Sequence, residues 1–385
     1  MKILFCCASL EAGRDGVGDY TMRLAEELIS QGHECLPVAL NDQYLKPGLF
    51  SPDDVGAINR KTMAVRLSSK ENWRRRINLV QKLVYEFQPD WLSLQYVPYG
   101  YHRKGLPILF PRRLETIVGN FQWHCMFHEL WIEPRGGLSA PLISFLQRVH
   151  IANLYRSIFP RKVHTSNAIY ARKLARIGIS ASLLPLFSNI EKVPSNRLLR
   201  QKIVEECMPG EIASNAWIFL FFGSIHPGWD VNVFLERISN AARQAGKKTV
   251  ILVSIGKNPC QDHAPLIRLR KIKTGFLHFR EIGEKPMSEI SHYLQAADFG
   301  VATTPLRLLG KSGSAAAMVS HGMPVVVPRI DVRFERDTLD ENGILPLDEF
   351  FEDKLLNPPS PREFNSVHGI ARLFLKTLDT NFDVQ

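Results

Sequence analysis

The chain has 385 residues, 45% of them hydrophobic and 22% charged, with a formal net charge of +10 at pH 7. This length exceeds one hydrophobic core and the composition lies near the globular average, which excludes a wholly disordered chain and favours two domains. No stretch approaches the ~20 apolar residues that span a bilayer, and the six scattered cysteines form no C-x-x-C pair, which favours reduced thiols in a cytoplasmic protein.

The first segment is predicted to be a strand, a loop, a helix and a second strand. KILFCCAS is apolar but too short for a signal peptide, so it predicts a buried strand. LEAGRDGVG follows as a glycine-containing loop, DYTMRLAEELISQG as an amphipathic helix that ends at Gly32, and HECLPVAL as the second strand. This order is a βαβ unit, which implies a parallel sheet.

More strands are expected along the first half, separated by helical stretches such as NWRRRINLVQKLVYEF. The segment 188–214 is polar, charged and short of strand signals, so it is interpreted as a linker with a helix. The strand candidates are WLSLQYV (91–97), the segment ending in WHCMFHELW (123–131), KVHTS (162–166) and ASLLPL (181–186).

The same pattern restarts in the second half with AWIFLFFGS, the helix VNVFLERISNAARQAG and the strand KTVILVSIG. The fold class predicted is α/β, with two Rossmann-like, doubly wound parallel-sheet domains facing a cleft, and ligands outside the carboxyl ends of the strands. The expected domains are 1–190, a linker at 191–214, a second domain at 215–365 and a C-terminal helix at 366–385, with a return to the first domain as one option.

The loop GRDGVGDY opens the first predicted helix and is the first candidate binding segment. Its glycines allow close backbone approach, and free amides at a helix start attract anions. Asp42, at the end of the second predicted strand, could serve as the ribose-binding acid of a dinucleotide site, although the loop lacks the third glycine of G-x-G-x-x-G. A phosphate loop, a nicotinamide or flavin site and a purely structural turn all remain open here.

A second candidate is LRLLGKSGSAAAMVSHGMPVVV, where Lys311, Ser312, Gly313 and Ser314 precede an alanine-rich helix. Either serine can cap the helix, and the remaining amides together with the lysine form an anion pocket. The alternative is a capped structural helix. The spacing is not that of a Walker A motif.

The third candidate, HCMFHELWIE, holds two histidines four residues apart, followed by two glutamates. On a helix, H-x-x-x-H would suggest a metal site, but this stretch is more typical of a strand running into a loop. A buried, hydrogen-bonded histidine is the structural alternative. The residues are His124, His128, Glu129 and Glu133.

Several of these segments, in this order, resemble GT-B glycosyltransferases of the large family 4 group. GVGDYTMRLAEELISQGHE resembles the opening of such proteins and FGSIHPGWDVNVFLE the start of their second domain. EIGEKPMSEISHYLQAADFGVATTP, followed by GSAAAMVSHGMPVVV, resembles the end of their donor domain. The resemblance covers most of the chain and implies a nucleotide-sugar donor site in the second half.

The resemblance also implies roles for individual residues. The 16–18 loop would face the donor diphosphate, the 223–226 loop would open the donor domain, 281–283 would hold the nucleotide base largely through main-chain groups, and 311–314 would meet the diphosphate and ribose. His128 would lie beside the reacting sugar, with Glu129 orienting it. The implied donor-binding residues are Gly16, Val17, Gly18, Gly223, Ser224, His226, Glu281, Ile282, Gly283, Lys311, Ser312, Gly313 and Ser314.

The sequence departs from the family pattern at two places. The positions of its E-x7-E motif, whose second glutamate binds the ribose, are occupied by Leu309 and Ala317. The usual Arg and Lys pair of the 223–229 loop is missing, with Trp229 near the lysine position, so Lys311 is expected to supply phosphate charge instead.

Together these patterns predict a glycosyltransferase that moves a sugar from a nucleotide-diphospho-sugar to a glycan, a lipid-linked or a small-molecule acceptor, retaining, with no bound metal or other cofactor. The alternatives are a catalytically inactive homologue that serves as a binding scaffold and a Rossmann NAD-dependent oxidoreductase. Nucleic acid is not an expected partner, because aromatic and basic residues are not interleaved. The basic helix that contains Arg74, Arg75 and Arg76 is expected to favour an anionic membrane surface, as a peripheral contact, or a phosphorylated acceptor.

Overall fold

The computed structural model of the chain describes residues 1–45, 64–133, 139–257, 262–272, 275–330, 343–359 and 365–379. They divide into two compact units, one formed by 1–185 with 367–385 and the other by 186–366. The segment 191–214, which was expected to be a linker, lies within the second unit. Each unit is built around one parallel sheet with helices.

The first unit contains seven strands in the order β3-β2-β1-β4-β5-β6-β7, and every neighbouring pair is parallel. Its strands are β1 Lys2–Cys7, β2 Glu34–Asp42, β3 Val65–Ser68, β4 Trp91–Tyr96, β5 Gln122–Phe127, β6 Lys162–Thr165 and β7 Ser182–Leu183. Its helices up to residue 185 are α1 Gly16–Ser30, α2 Trp73–Phe87, α3 Phe110–Glu115, α4 Ala140–Ile158 and α5 Ala168–Ala175.

The second unit contains six parallel strands in the order β10-β9-β8-β11-β12-β13. Its strands are β8 Ala216–Phe222, β9 Thr249–Ile255, β10 Leu277–Gly283, β11 Phe299–Val301, β12 Val325–Val327 and β13 Ile344–Pro346. Its helices are α6 Arg197–Cys207, α7 Val231–Gln244, α8 Ala264–Arg270, α9 Met287–Ala296, α10 Gly313–Ser320 and α11 Phe351–Leu356, and short 3₁₀ turns precede β8 and α10.

The last helix, α12 Val367–Leu378, packs in the first unit rather than the second. The Phe374 ring stacks 6.0 Å from the Phe5 ring of β1, and His368 Nδ1 lies 2.8 Å from the Glu27 carboxylate of α1. The amphipathic face of α12 therefore completes the core over the central strand of the first sheet.

Continuous apolar runs form the central strands because helices cover both faces of each sheet. In β8, Ile218 and Leu220 face a core shared with α6, α9 and α10, whereas Phe219 and Phe221 face one shared with α7, α8 and α11. No described helix is long and apolar enough to cross a membrane. Five of the cysteines are free thiols, and Cys260 lies outside the described residues.

The prediction about α2 is wrong for one of its three arginines. Arg76 is 2% exposed, donates to Leu40 O at 2.6 Å and Asn41 Oδ1 at 2.8 Å, and stacks 3.7 Å from the centre of the Trp73 ring. Burial, with the nearby Arg113 charge, lowers the pKa of Arg76 to about 10. Arg76 therefore anchors α2 in the core and cannot contact a lipid surface.

Both sheets reverse their strand order beside the first strand of the unit. In the first unit β2 and β4 flank β1, and in the second unit β9 and β11 flank β8. Loops from the two sides diverge at such a switch point and leave a crevice at the carboxyl ends of the strands, where open α/β sheets bind ligands. The loops after β1, β4, β8 and β11 are therefore the candidate ligand-binding loops.

Candidate functional site

The loop after β8 forms one wall of the switch point in the second unit. Gly223 has a positive φ of +82°, which favours glycine, and its amide donates to Ile255 O at 2.9 Å. Further along, the amide of His226 donates to Thr303 Oγ1, at the end of β11, over 2.8 Å. The loop is thus tied to the ends of both neighbouring strands, and His226 is exposed beyond them.

The start of α10 forms the opposite wall. Ser312 is the N-cap and its Oγ accepts from Ala315 N–H at 3.2 Å, while Ser314 Oγ lies 3.1 Å from it. A Cβ on Gly223 would lie 3.8 Å from the Ser314 side chain, so the β8 loop and the helix start face each other closely. The first amides of any helix, here Gly313 and Ser314, have no intrahelical partner, which makes this wall a donor surface for an anion.

Cationic side chains surround this donor surface. Burial lowers the pKa of His226, and the positive charges of Arg329 and Lys311 lower it further. The Arg329 guanidinium lies 3.6 Å from where a Cβ of Gly228 would stand, and its Nη1 is 3.4 Å from Pro227 O. Its Nε is buried and bonds to none of the described residues. Two cations and a helix start therefore converge on one loop.

Arg329 was not predicted from the sequence, in which the 223–229 loop lacks the arginine that the family pattern places there. It follows β12, so its charge reaches the loop from another strand of the same sheet. The available signal was a basic residue directly after the buried run MPVVVP, where the carboxyl end of a central strand was expected. Such a position lies at the ligand edge of a parallel sheet.

Glu281, Ile282 and Gly283 end β10, at the edge of the same sheet. The Glu281 carboxylate accepts from Arg270 at 2.5 and 2.9 Å, whereas Ile282 turns to the opposite face. Beside them lies a cavity of about 270 Å³ whose lining includes Leu199, Lys202, Arg280, Lys285 and Tyr293. Gly283 O accepts from Gly256 N–H at 2.8 Å, which joins this edge to the β9 loop.

The residues at the non-acidic E-x7-E positions are part of the apolar core. Leu309 and Ala317 are both buried and pack with α6, α9 and β8. Trp229 is also buried, with its indole Nε1 donating to His226 O at 2.7 Å. It shapes the loop and supplies no charge to a phosphate.

At the first switch point, the amides at the start of α1 are bonded by a carboxylate of the same segment. Asp15 Oδ1 accepts from Val17 N–H at 2.9 Å and Gly18 N–H at 3.1 Å. A Cβ at Gly18 would stand 2.3 Å from Ser9 O, so glycine is required for α1 to lie against the end of β1. Both amides expected to face a diphosphate are already engaged by Asp15, whereas Gly16 has open space around it.

Several acids cluster around this helix start. Burial raises the pKa of Asp15, its amide bonds oppose the rise, and the charges of Asp42 and Glu129 add to it. Burial also raises the pKa of Asp19 to about 6, although Gly13 N–H bonds to its carboxylate. This crevice is suited to polar neutral or cationic groups and unfavourable for a diphosphate.

The role of Asp42 as a ribose-binding acid finds no support in this geometry. Its carboxylate accepts from Leu10 N–H at 3.2 Å, Tyr44 N–H at 3.0 Å and Arg66 Nε at 2.7 Å, and it is fully buried. Burial alone would raise the pKa of Asp42, but these bonds and the Arg66 charge lower it overall. Asp42, at the end of β2, therefore links this strand by hydrogen bonds to Arg66 of β3 and to the loop after β1.

His128 lies just after β5 at this switch point and is buried. Its Nε2 lies 2.9 Å from Gln95 Oε1, and its ring meets the Tyr20 ring edge to face at 5.0 Å. Because a carboxamide oxygen only accepts, the ring proton is on Nε2 and Nδ1 is unprotonated. Burial lowers the pKa of His128 to about 3, so the ring is neutral at physiological pH.

A buried hydrogen-bonded chain extends from His128 into the sheet. Gln95 Nε2 donates to Ser93 Oγ at 2.8 Å, Ser93 Oγ lies 2.8 Å from His124 Nδ1, and His124 Nε2 lies 2.9 Å from His164 Nδ1. The Ser93 hydroxyl has one donor and two acceptor lone pairs, so it can link Gln95 to His124 with either tautomer of the two histidines. Gln95, which the sequence analysis did not single out, thus holds the His128 ring.

The remaining candidates lie elsewhere or have other partners. Glu133 forms a 2.5 Å ion pair with Lys173 of α5. β5 ends at Phe127, which confirms that HCMFHELW is a strand running into a loop. His124 and His128 bond to Ser93 and Gln95, and the described residues contain no cluster of three or more His, Cys, Asp or Glu side chains with metal-site geometry.

No known family profile and no curated protein sequence matches this chain. Solved structures do. A glycosyltransferase from Rickettsia africae is 13% identical, with 99% of this chain and 89% of that one covered at a TM-score of 0.53. The UDP-GlcNAc 2-epimerase of Methanocaldococcus jannaschii is 11% identical, with 98% and 99% covered at 0.51. An E. coli trehalose-6-phosphate protein bound with UDP-2-fluoro glucose is 9% identical, with 99% and 97% covered at 0.51.

The chain has the GT-B fold. Two Rossmann-like parallel sheets in one chain, matched over nearly its whole length, confirm the fold class predicted from the sequence. At these identities the likeness establishes architecture alone. The chemistry proposed for this chain therefore rests on the residues at its own two switch points.

Proposed function

We propose that this protein is a glycosyltransferase that takes its sugar from a nucleotide-diphospho-sugar. The observation that supports this most is the donor surface of the second unit, formed by the start of α10, the Gly223 loop, Lys311 and Arg329. Its partly buried cations and unengaged helix amides match a diphosphate in charge and in hydrogen-bond donors.

The donor would bind with its diphosphate between Gly223 and Ser314. Lys311 and Arg329 would meet the phosphate oxygens as charge-assisted donors, and the α10 amides would add fixed partial charge. This arrangement can stabilise the departing diphosphate without a metal ion, which is our proposal for the reaction. The base would lie against 281–283, next to the cavity lined by Tyr293 and apolar side chains, whose wall also carries basic and acidic groups.

The acceptor would bind at the switch point of the first unit. The acids near α1 suit a polyhydroxylated group, because carboxylates accept hydrogen bonds from hydroxyls. His128 would stabilise charge at the reacting centre. A pKa of about 3 makes its neutral ring a hydrogen-bond partner rather than an acid, and the partner atom would be the unprotonated Nδ1.

For the stereochemistry, the proposal is a transfer that retains the anomeric configuration of the sugar and uses no protein nucleophile. The developing positive charge of the sugar would be met by the unprotonated Nδ1 of His128 and the departing diphosphate by Lys311 and Arg329. The acceptor hydroxyl would lose its proton towards the leaving phosphate oxygen or to a carboxylate of the first unit, Glu129 being the candidate. The anomeric configuration of the product, measured by NMR, tests this statement separately.

The first experiment is a thermal-shift panel of UDP, GDP, ADP, CDP, dTDP and NAD with the full chain. A ligand at 100 times its Kd stabilises by about 2.7 kcal/mol, roughly 5 °C or more in Tm for a domain of this size. We expect one nucleoside diphosphate to raise Tm and NAD to have no effect. A rise with NAD alone would support the oxidoreductase alternative and refute the proposal.

The second experiment separates an active transferase from a binding scaffold. The nucleotide-sugars of the selected base are incubated with the protein, with and without acceptor mixtures, and nucleoside diphosphate release is followed. Release that depends on acceptor supports transfer. Tight nucleotide binding with no release over any acceptor would instead indicate the inactive scaffold, and release without acceptor would indicate a hydrolytic or epimerising reaction.

A further inference from the structure

The first half of α4 is arranged with its apolar residues outward. Leu142, Phe145, Leu146 and Val149 recur at helical spacing and are each between 40% and 60% exposed. The opposite face, which is buried, carries Ser144, Gln147 and His150. A surface helix normally buries its apolar stripe, so this reversal requires an explanation.

The buried polar side chains hold α4 in this orientation. Ser144 Oγ donates to Ile132 O at 2.8 Å, and Gln147 Oε1 accepts from Ile132 N–H at 2.9 Å. Gln147 Nε2 donates to Lys104 O at 2.8 Å, and His150 Nε2 lies 2.7 Å from the Tyr96 hydroxyl. Turning the helix to bury its apolar stripe would break all of these bonds inside the protein. The outward stripe is therefore a built feature of the fold.

The stripe continues onto the neighbouring turn. α3 packs against α4, and Ile108 and Leu109, just before α3, are 74% and 55% exposed. We call these six residues the α4 surface: Ile108, Leu109, Leu142, Phe145, Leu146 and Val149. Isolated exposed apolar residues are ordinary, but a contiguous set of this kind marks an interaction surface.

The charges around the α4 surface are mostly positive. α4 contains Arg148 and Arg156 and no acidic residue. The segment 98–115 carries four basic side chains, of which Arg103, Lys104 and Arg112 are exposed, against the single acid Glu115. The Arg148 guanidinium lies 5.9 Å from the centre of the Phe145 ring, so charge and apolar surface adjoin directly.

We propose that the α4 surface docks this protein onto an anionic lipid membrane. Apolar side chains would enter the interface between headgroups and acyl chains, and the flanking arginines would meet lipid phosphates. The excess of positive charge favours this occupant over a second copy of the chain, since two copies would bring like charges together. The proposal does not rest on the transferase activity and assigns the membrane contact to α4 instead of α2.

The test is flotation of the full chain with vesicles of phosphatidylcholine alone and of phosphatidylcholine with 30% phosphatidylglycerol. The wild type is expected to float with the anionic vesicles and to be released by salt, because salt screens the attraction between basic side chains and an anionic surface. The double variant Phe145→Ser/Leu146→Ser should lose about 10-fold or more in vesicle affinity, since two apolar side chains no longer enter the interface.

Two controls make the result specific. Leu198→Ser removes an apolar side chain that is 79% exposed on α6, and Arg74→Glu reverses a charge on α2. Both should float like the wild type, whereas Arg148→Glu should bind anionic vesicles more weakly. Because the substituted residues are exposed, Tm should not change in any of these variants.

Equal flotation of the double variant and the wild type would overturn the proposal, as would equal recovery on neutral and anionic vesicles. A concentration-dependent dimer that the double variant abolishes, with no vesicle binding by the wild type, would assign the α4 surface to self-association instead. Light scattering after size exclusion gives that readout on the same samples.

Discussion

At the start of α1 the helix amides meet a carboxylate, whereas at the start of α10 they meet a serine hydroxyl. Asp15 bonds to two amides of α1, and Asp19 and Glu129 add negative charge nearby. Around α10 the neighbouring charges are those of Lys311 and Arg329. The same structural device, a helix start at a switch point, is therefore closed to anions in one unit and open to them in the other.

This difference assigns separate tasks to the two units. A diphosphate is stabilised by unengaged amides and cations, and of these two helix starts the α10 site provides both. A neutral acceptor hydroxyl is served by acceptor atoms, which the α1 site provides. The shared architecture therefore does not imply a shared ligand. The following five predictions test the two units and this division, from the largest expected effect to the smallest.

The largest effect is expected at His128. Substitution of His128→Ala should reduce turnover by roughly 10²–10³-fold, as for loss of one preorganised polar group, with nucleotide affinity nearly unchanged. Gln95→Leu should reduce turnover in the same direction, because the ring would lose the acceptor that holds its Nε2 proton. Turnover and calorimetric affinity are measured on the same preparations.

Gln95→Glu is the matched control for this pair, since a carboxylate keeps an acceptor next to His128 Nε2. It should raise the pKa of His128 and move the pH profile of turnover, which a purely structural role would not do. If His128→Ala is stable and fully active, the reacting centre is elsewhere in the first unit.

The next effect concerns the cations of the second unit. Lys311→Ala and Arg329→Ala should each weaken nucleoside diphosphate binding by about 1.5–3 kcal/mol, because a charge-assisted contact is lost. Calorimetry with the nucleotide selected by thermal shift measures the affinity. Arg268→Ala removes a charge of the same unit whose guanidinium bonds to Asn232, and it should have no such effect.

Asp15→Asn tests the opposite side of the comparison. It removes negative charge from the α1 site and should leave diphosphate affinity unchanged if the donor is held by the second unit alone. A gain in affinity would show that the first unit repels the donor phosphates. A tenfold loss would contradict the division of tasks.

A smaller effect is expected from the glycines of α1. Gly18→Ala should destabilise the fold by about 1–3 kcal/mol, because its Cβ would overlap Ser9 O and force backbone movement. Gly16→Ala, where a Cβ meets nothing within 4 Å, should change stability by no more than about 0.5 kcal/mol. Chemical denaturation gives both values, and equal losses at the two positions would show that the close approach to β1 does not constrain α1.

The last prediction concerns the response of stability to pH, and its effect is counted per histidine and per pH unit. Burial lowers the pKa of His128 to about 3 and of His150 and His164 to about 4. A pKa lowered in the fold stabilises it above pH 6.5, and this contribution is lost as pH falls, by about 1.4 kcal/mol per histidine and pH unit. Asp19, with its pKa raised to about 6, acts in the opposite sense between pH 6 and 4.

Denaturation at pH 7.0 and 5.5 measures the slope, and His164→Asn should reduce it, because one buried neutral imidazole is removed. In the second unit His321 is also buried beside Ser291, and burial lowers its pKa. The described residues of that unit contain fewer such histidines than those of the first, so it should lose less stability over this range. Identical slopes for the two unfolding steps would contradict the assignment.

The sequence predicted the elements that apolar runs determine. β1, β8 and β9 are buried on both faces and contain unbroken apolar stretches, so their type and order could be read directly. The three-residue β13 and four-residue β3 are too short for a periodic signal, and neither was predicted. Both are edge strands, whose formation depends on an already folded neighbour.

The candidate sites were predictable only in part, because their decisive contacts are distant in sequence. Gln95 meets His128 since β4 and β5 pair with Tyr96 opposite Phe127, a register that no local pattern reveals. Arg329 reaches Pro227 across more than a hundred residues. The outward stripe of α4 was missed because its apolar spacing is that of an ordinary core helix, and only the bonds of Gln147 and Ser144 determine which face is buried.

The position of α12 determines the order in which this chain can mature during synthesis. The second unit is continuous in sequence, so it can close as soon as its last strand leaves the ribosome. In the first unit Phe5 and His124 lack their contact with Phe374 until α12, near the end of the sequence, has been synthesised. The half that is translated first is therefore the half that completes its core last.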